Sequence, residues 1–220
     1  MTEGLRLYLV RHGEADLASP LLPPVPPEEE GRRALGRIDL PLSRRGEEQA
    51  RRLAEGLARV PLDRILSSPL LRARRTGEIL AEGRGIAPEI RPELSEIHLG
   101  EWEGLPFRAI RSAFPELSAA RDRDLWGFPH PGGESFADVA DRALPLLREL
   151  AADPGGARRV LLTAHSGLFR VLLASLLGLP FERAFRLRQD PCGLHLLELR
   201  PRGDFEILCL NRTVSFPGDF

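Results

Sequence analysis

The chain has 220 residues, 42% of them hydrophobic, enough for one sizeable core and for a single domain over 1–220. Its formal net charge is -1, so no global field favours nucleic acid or an anionic membrane. All 31 basic residues are Arg, the side chain that grips phosphate oxygens through two parallel bonds. Cys192 and Cys209 stand in no CxxC or Cys/His zinc spacing, and a reduced pair is expected. Residues Met1 to Gly4 lead straight into an apolar run with no basic region and long apolar stretch. No signal peptide and no membrane span are expected, and the location implied is cytoplasmic.

In chain order, Leu5 to Val10 reads as a buried strand that ends at Arg11-His12-Gly13. Residues 19–36 hold five prolines and then Glu28 to Glu30, which predicts an extended surface loop. Ser43 caps a helix over 44–58, whose apolar stripe is Ala50, Leu53, Ala54 and Leu57. Leu62 to Leu66 is a second strand. Ser67-Ser68-Pro69 then caps a helix to about Ala81, with Pro at its first position. Residues 94–104 are irregular, and 105–130 form a cap-like segment of short helical pieces. A turn at 131–135 opens a helix of about 136–151, with a kink expected at Pro145. Arg159 to Thr163 is a third strand, ending at Ala164-His165-Ser166-Gly167. A helix from Leu168 stops at Gly178. Strands at 193–199 and 205–210 follow, joined by a turn at Arg202-Gly203-Asp204. This order predicts an α/β layer fold with a mainly parallel sheet.

Ligands of such sheets bind at the carboxyl ends of strands. Three of these ends deliver Arg11 and His12, Ser67 and Ser68 followed by Arg72, and His165. Two Arg and two His gathered there, beside helix N-termini, form a cationic pocket suited to a phosphoryl group.

The local motifs are more specific. Leu9-Val10-Arg11-His12-Gly13-Glu14 resembles the RHG signature of the histidine phosphatase superfamily, the phosphoglycerate mutase-like proteins. The resemblance continues in order through Asp39-Leu40-Pro41-Leu42-Ser43 with Gly46, Gln49 and Ala50. Ser67-Ser68-Pro69-Leu70 with Arg72, Ala73 and Thr76 is the next block, followed by Leu94-Ser95-Glu96 with Gly100, Trp102, Glu103 and Gly104. Pro131 to Ser135 and Ala164 to Gly167 complete six ordered blocks.

The resemblance implies a three-layer α/β/α sandwich and a metal-independent phosphomonoesterase with no cofactor. His12 is then the nucleophile that becomes phosphohistidine. Arg11, Arg72 and His165 hold phosphoryl oxygens, and Glu96 protonates the leaving oxygen before activating water. The chemistry fits these residue types. An imidazole divides one hard displacement into two easier ones, and phosphoryl transfer asks mainly for positioning and for charge on the equatorial oxygens. Ser67 and Ser166 are further candidates for the phosphate site, although helix capping explains Ser67 equally well. His195 reads as a packing or edge residue and Trp102 as core, while His98 and His130 are candidates for the pocket mouth.

The chain also departs from the pattern. The family often continues as RHGET with an Asn a few residues on that reaches the phosphate, and here Ala15 and Ala18 stand in those places. That contact is missing or comes from elsewhere, with the 19–36 loop as a source. The 96–104 motif looks more like the phosphatase branches than the mutase branch. The expected partner is a small phosphorylated substrate, with no nucleic acid and no membrane, for a monomer or a homodimer. A phosphoglycerate mutase and a non-catalytic phosphate-binding relative remain alternatives.

Overall fold

The computed structural model describes residues 4–200 and 204–213. Six strands form one sheet: β1 (Leu5–Arg11), β2 (Arg64–Ser67), β3 (Pro88–Ile90), β4 (Arg159–Ala164), β5 (Leu194–Leu199) and β6 (Phe205–Arg212). Their spatial order is β3-β2-β4-β1-β5-β6. β3, β2, β4 and β1 run parallel, β5 is antiparallel to β1, and β6 is antiparallel to β5. The helices are α1 (Arg44–Gly56), α2 (Leu71–Ala81), α3 (Phe107–Ala113), α4 (Pro115–Arg123), α5 (Phe136–Ala152), α6 (Ser166–Leu177) and α7 (Phe181–Ala184).

Strand alternation sorts the side chains into two cores. Leu5, Leu7 and Leu9 of β1 join α5 and α6 on one face of the sheet, while Tyr8 and Val10 join α1 and α2 on the other. The central strands are covered on both sides, which is why they read as continuous apolar runs. The result is a three-layer α/β/α sandwich with a mixed, mainly parallel sheet.

Several boundaries differ from the sequence reading for identifiable reasons. β3 begins on Pro88 at the sheet edge, where a missing N–H is tolerated, and its short Pro-Glu-Ile run carries no strand pattern. α2 starts at Leu71 and draws no cap from Ser67 or Ser68; Asp39 Oδ1, distant in sequence, accepts the Leu71 N–H at 2.6 Å. α6 starts at Ser166 with His165 as its N-cap residue. α5 runs through Pro145 without a break and opens on a capping box between Ser135 and Asp138. The 19–36 loop is largely exposed, yet Ala34 is buried and exchanges backbone bonds with Leu105 and Gly104. The predicted turn at 202–204 lies mostly outside the described residues. Cys192 and Cys209 are both free thiols. Among the described residues, no helix is long and apolar enough to cross a membrane.

Candidate active site

Parallel pairing of β1 with β4 sets Arg11 opposite Ala164, so the next residues on each strand, His12 and His165, emerge side by side. The His12 N–H donates to the Ala164 carbonyl at 2.9 Å, and the two imidazole rings lie 5.1 Å apart between centroids. β2 extends the row, because the Ser68 N–H donates to Thr163 O at 3.0 Å and the Ser68 hydroxyl meets His165 Nε2 at 2.8 Å. Three adjacent strand ends thus build the floor of the site.

His12 is 4% exposed, and its Nδ1 lies 2.6 Å from the Gly13 carbonyl. A carbonyl only accepts, so Nδ1 carries the proton and Nε2 keeps its lone pair. Burial first, then the charges of Arg72 and Arg11, hold the His12 imidazole well below its usual range. His165 is held low in the same way, by burial first and then by Arg72. Both rings are neutral, and His12 presents a free nucleophilic nitrogen.

The second block holds the first in place. Gln49 Oε1 accepts the Glu14 N–H at 2.9 Å, and the Ser43 hydroxyl donates to Glu14 at 2.9 Å. Gly13 and Gly46 pack backbone to backbone so closely that a Cβ on either meets the other segment's main chain.

Arg72 reaches in from the first turn of α2. Its Nη1 donates to Ile38 O at 2.6 Å and its Nη2 to Gly36 O at 2.7 Å. Arg11 Nη1 donates to the Gln189 carbonyl at 2.5 Å. Neither guanidinium makes an ion pair among the described residues. Burial lowers Arg72 to about 10 and lowers Arg11 as well, opposed in each case by Glu96. Three nitrogens of this group, Arg11 Nε, Arg72 Nε and His165 Nδ1, are buried without any partner.

Glu96 comes from the irregular segment before α3 and lies across the N-terminus of α6. Its carboxylate accepts the N–H groups of Ile97, Gly167 and Leu168 at 3.0 to 3.1 Å. A Cβ at Gly167 would stand 2.5 Å from Glu96 Oε1, so a glycine is needed there for the carboxylate to sit. Behind it, the Glu96 carbonyl accepts from Arg37 and Arg142, both tied to Glu134. Glu103 accepts the N–H groups of Arg37 and Leu99. The acids of the fourth and fifth blocks therefore brace the loop that carries Glu96.

A cavity of about 270 Å³ opens above His12, lined by Arg11, His12, Arg72, Glu96 and Ser166 among others, while His165 and Ser68 are fully buried beside His12 and do not line it. Ser166 lies on its wall as expected, whereas Ser67 turns its hydroxyl to the Ser68 carbonyl at 2.9 Å and lines no part of it. Ser68 is the serine that meets the dyad. His98 and His130 do not line the cavity either: His98 is near Glu103 on the outside, and His130 sits edge-on to Trp102 and Phe128. His195 is buried between Gln189 and the Asn211 N–H. Trp102 is 1% exposed.

Residues missed from sequence form the rest of the wall. Ala15 pairs with Leu42 and Ala18 binds back to Asp16, so neither supplies a polar side chain. Arg32, from the far end of the same loop, lines the cavity, as do Arg121 of α4, Arg170 of α6, Phe107 and Phe185. Only Arg170 carried a usable signal, being a lone charge in the apolar run of α6.

Comparison with known proteins agrees with this geometry. The family model of the histidine phosphatase superfamily (branch 1) matches residues 7–213. A glucosyl-3-phosphoglycerate phosphatase of Mycolicibacterium vanbaalenii is 40% identical over 184 residues, covering 80% of this chain and 76% of that protein. A probable phosphoglycerate mutase GpmB of Photorhabdus laumondii is 35% identical over 193 residues, covering 86% of this chain and 83% of its own. The native structure of a mycobacterial glucosyl-3-phosphoglycerate phosphatase superposes with a TM-score of 0.76 at 32% identity, covering 96% of this chain and all of that one.

Proposed function

Since the chain belongs to branch 1 of the histidine phosphatase superfamily, we propose that this phosphatase hydrolyses a small phosphorylated metabolite in the cytoplasm, with His12 carrying the phosphoryl group from substrate to water. The observation that carries the reading is the set of three buried, unpartnered nitrogens around His12: Arg11 Nε, Arg72 Nε and, with the Ser68 hydroxyl donating to Nε2, the proton-bearing Nδ1 of His165. A buried donor without a partner costs about 1–3 kcal/mol, and the three oxygens of a phosphoryl group satisfy all of them together.

In the first step His12 Nε2 forms a bond to phosphorus as the ester P–O bond breaks. Glu96 gives its proton to the departing oxygen. In the second step Glu96 takes a proton from water, the water oxygen bonds to phosphorus, and the P–N bond breaks. Gly13 holds the Nδ1 proton throughout and accommodates the positive charge that develops on the ring. Arg11, Arg72 and His165 steady the transferring oxygens. Ser68 acts through His165, as a positioning residue.

Hydrolysis of an aryl phosphate in excess EDTA, wild type against His12→Ala, tests this. Wild-type turnover that disappears in the variant supports the scheme, and equal turnover in both refutes the assignment of His12. The likeness to a probable mutase supports a second reading, in which 3-phosphoglycerate is isomerised faster than phosphate is released. Failure to form any phosphoenzyme would point instead to a binding protein.

A further inference from the structure

Arg11 is held by residues outside the six motif blocks. Its Nη1 donates to the Gln189 carbonyl at 2.5 Å, while its Nε has no partner. Its main-chain N–H donates to Gly193 O at 3.2 Å, and its carbonyl accepts the Cys192 N–H at 3.1 Å. The loop 189–193, between α7 and β5, thus grips Arg11 by side chain and main chain together.

The loop is itself fastened from β5 and β6. A peptide unit is planar, so fixing its N–H also fixes its carbonyl. In the Gln189–Asp190 peptide the carbonyl meets Arg11, and the N–H donates to Asn211 Oδ1 at 2.8 Å. Asn211 Nδ2 donates in turn to Asp190 Oδ2 at 2.7 Å. Gly193 leaves room for this amide, since a Cβ there would stand 2.5 Å from Asn211 Oδ1. Asn211 has φ 50°, the left-handed region that Asn enters more readily than most side chains.

His195 fastens the other half. It stands on β5 opposite Leu9, two residues before Arg11. Burial first, then the charge of Arg170, lowers its pKa to about 4, so the ring is neutral and carries one proton. Nδ1 accepts the Asn211 N–H at 3.1 Å, which puts that proton on Nε2, and Nε2 donates to Gln189 Oε1 at 2.9 Å. His195 is 1% exposed and Gln189 is buried with it, its Nε2 without a partner. An unpaired buried amide is costly, and apolar residues would fill this space without that cost. Packing alone does not account for the pair.

We propose that Asn211 and His195 are positioning residues for phosphoryl transfer: together they lock the Gln189–Asp190 peptide, whose carbonyl aims the Arg11 guanidinium at the transferring oxygens. The proposal rests on the phosphatase reading and adds to it a clamp that touches no substrate. Asn211 holds the N–H end of the peptide, and His195 holds the Gln189 side chain and the Asn211 main chain at once. With Nη1 tied back, Arg11 Nε stays fixed and free for an oxygen of the phosphoryl group.

The test is a double-mutant cycle read by calorimetry on orthovanadate, which takes the place of the transferring phosphoryl group, so residual turnover is not needed. Asn211→Gly removes the amide and keeps the positive φ, which glycine adopts freely. It should weaken vanadate binding about tenfold and lower kcat on an aryl phosphate by about tenfold or more. In an Arg11→Ala background the same substitution should change vanadate affinity by less than about twofold, because no guanidinium is left to aim. An equal loss in both backgrounds is the mark of a merely structural role, and that result, or no loss in either, overturns the proposal. At His195 two amides separate the two bonds. His195→Gln sets a donor near the place of Nε2 and should keep kcat within about threefold of wild type. His195→Asn reaches only the place of Nδ1, loses the donor to Gln189, and should fall about tenfold. Equal kcat in the two variants would overturn the part given to His195. If neither His195 variant folds, the Asn211 cycle decides alone. Wild type without His12-dependent hydrolysis of the aryl phosphate would remove the phosphatase reading, and this inference with it. Full wild-type hydrolysis with Asn211→Gly unchanged would overturn the clamp and leave that reading standing.

Discussion

The floor and the wall of the cavity are built on different principles. The floor rests on the sheet: His12 and, buried beside it, His165 and Ser68 follow three hydrogen-bonded strands, and Glu96, carried by a connection, is pinned to a helix N-terminus. Most of the wall is carried by connections, with Arg32 at the end of a Pro-rich loop and Phe107 and Arg121 on the short helices α3 and α4, whereas Arg170 comes from α6. Rigid elements hold a catalytic geometry to a fraction of an ångström, whereas loops tolerate insertion and exchange. Chemistry is therefore invested in the floor and choice of substrate in the wall.

The largest expected effect follows from removing the nucleophile. His12→Ala should lower kcat by at least about 10⁴-fold with the far-UV circular dichroism unchanged. Appreciable residual turnover, beyond what a pocket of bound cations gives, would mean that water attacks phosphorus directly. Gly167→Ala comes next, because its methyl group would press the Glu96 carboxylate off α6. A catalytic group displaced by about 1 Å costs roughly 10²-fold, and steady-state kinetics should show the loss in kcat. If kcat is retained, Glu96 is not held to its seat as described.

A substitution in the wall should behave differently. Phe107→Ala is expected to raise KM by up to about tenfold and to leave kcat within about twofold. An equal fall in kcat would erase the distinction between wall and floor. The last effect concerns acid and is read on stability rather than on turnover. Burial holds His12 and His165 well below the usual imidazole range and His195 at about 4. The unfolded chain takes up these protons near pH 6.5, while the folded one does so only much lower. Their contribution to stability is whole above about pH 6.5 and is lost as pH falls toward the folded values, each imidazole contributing at most ~1.4 kcal/mol per pH unit. Urea unfolding at pH 7, 6 and 5 should show this decline. His195→Gln, behind the floor, should make it shallower, and an unaltered slope would show that His195 takes its proton without cost.

The sequence was informative where a residue's neighbours in the chain are also its neighbours in space. Arg11-His12-Gly13 and Ala164-His165-Ser166-Gly167 each mark a strand end, and both strands end within one residue of the expected place, while α6 begins at Ser166 rather than at the expected Leu168. Capping was misassigned where the partner is remote. Ser67 and Ser68 precede a helix, but Asp39 satisfies its first N–H while Ser68 serves His165. The wall was illegible for the same reason: Arg32, Arg121 and Arg170 are three among 31 arginines, and only the fold brings them to one cavity. Arg170 is the exception, since an isolated charge inside an otherwise apolar helix calls for a partner by its position in the chain alone.

The seat of Glu96 on α6 has a stereochemical consequence. One carboxylate is pinned there by three N–H groups; in the proposed mechanism it serves both the oxygen that leaves and the water that arrives, so the two pass through the same side of the phosphorus. His12 occupies the opposite side in both steps. Each in-line displacement inverts the configuration at phosphorus, and two of them restore it. A phosphorothioate ester made chiral with oxygen isotopes should yield inorganic thiophosphate of retained configuration, a record of the enzyme's covalent detour written into the product itself.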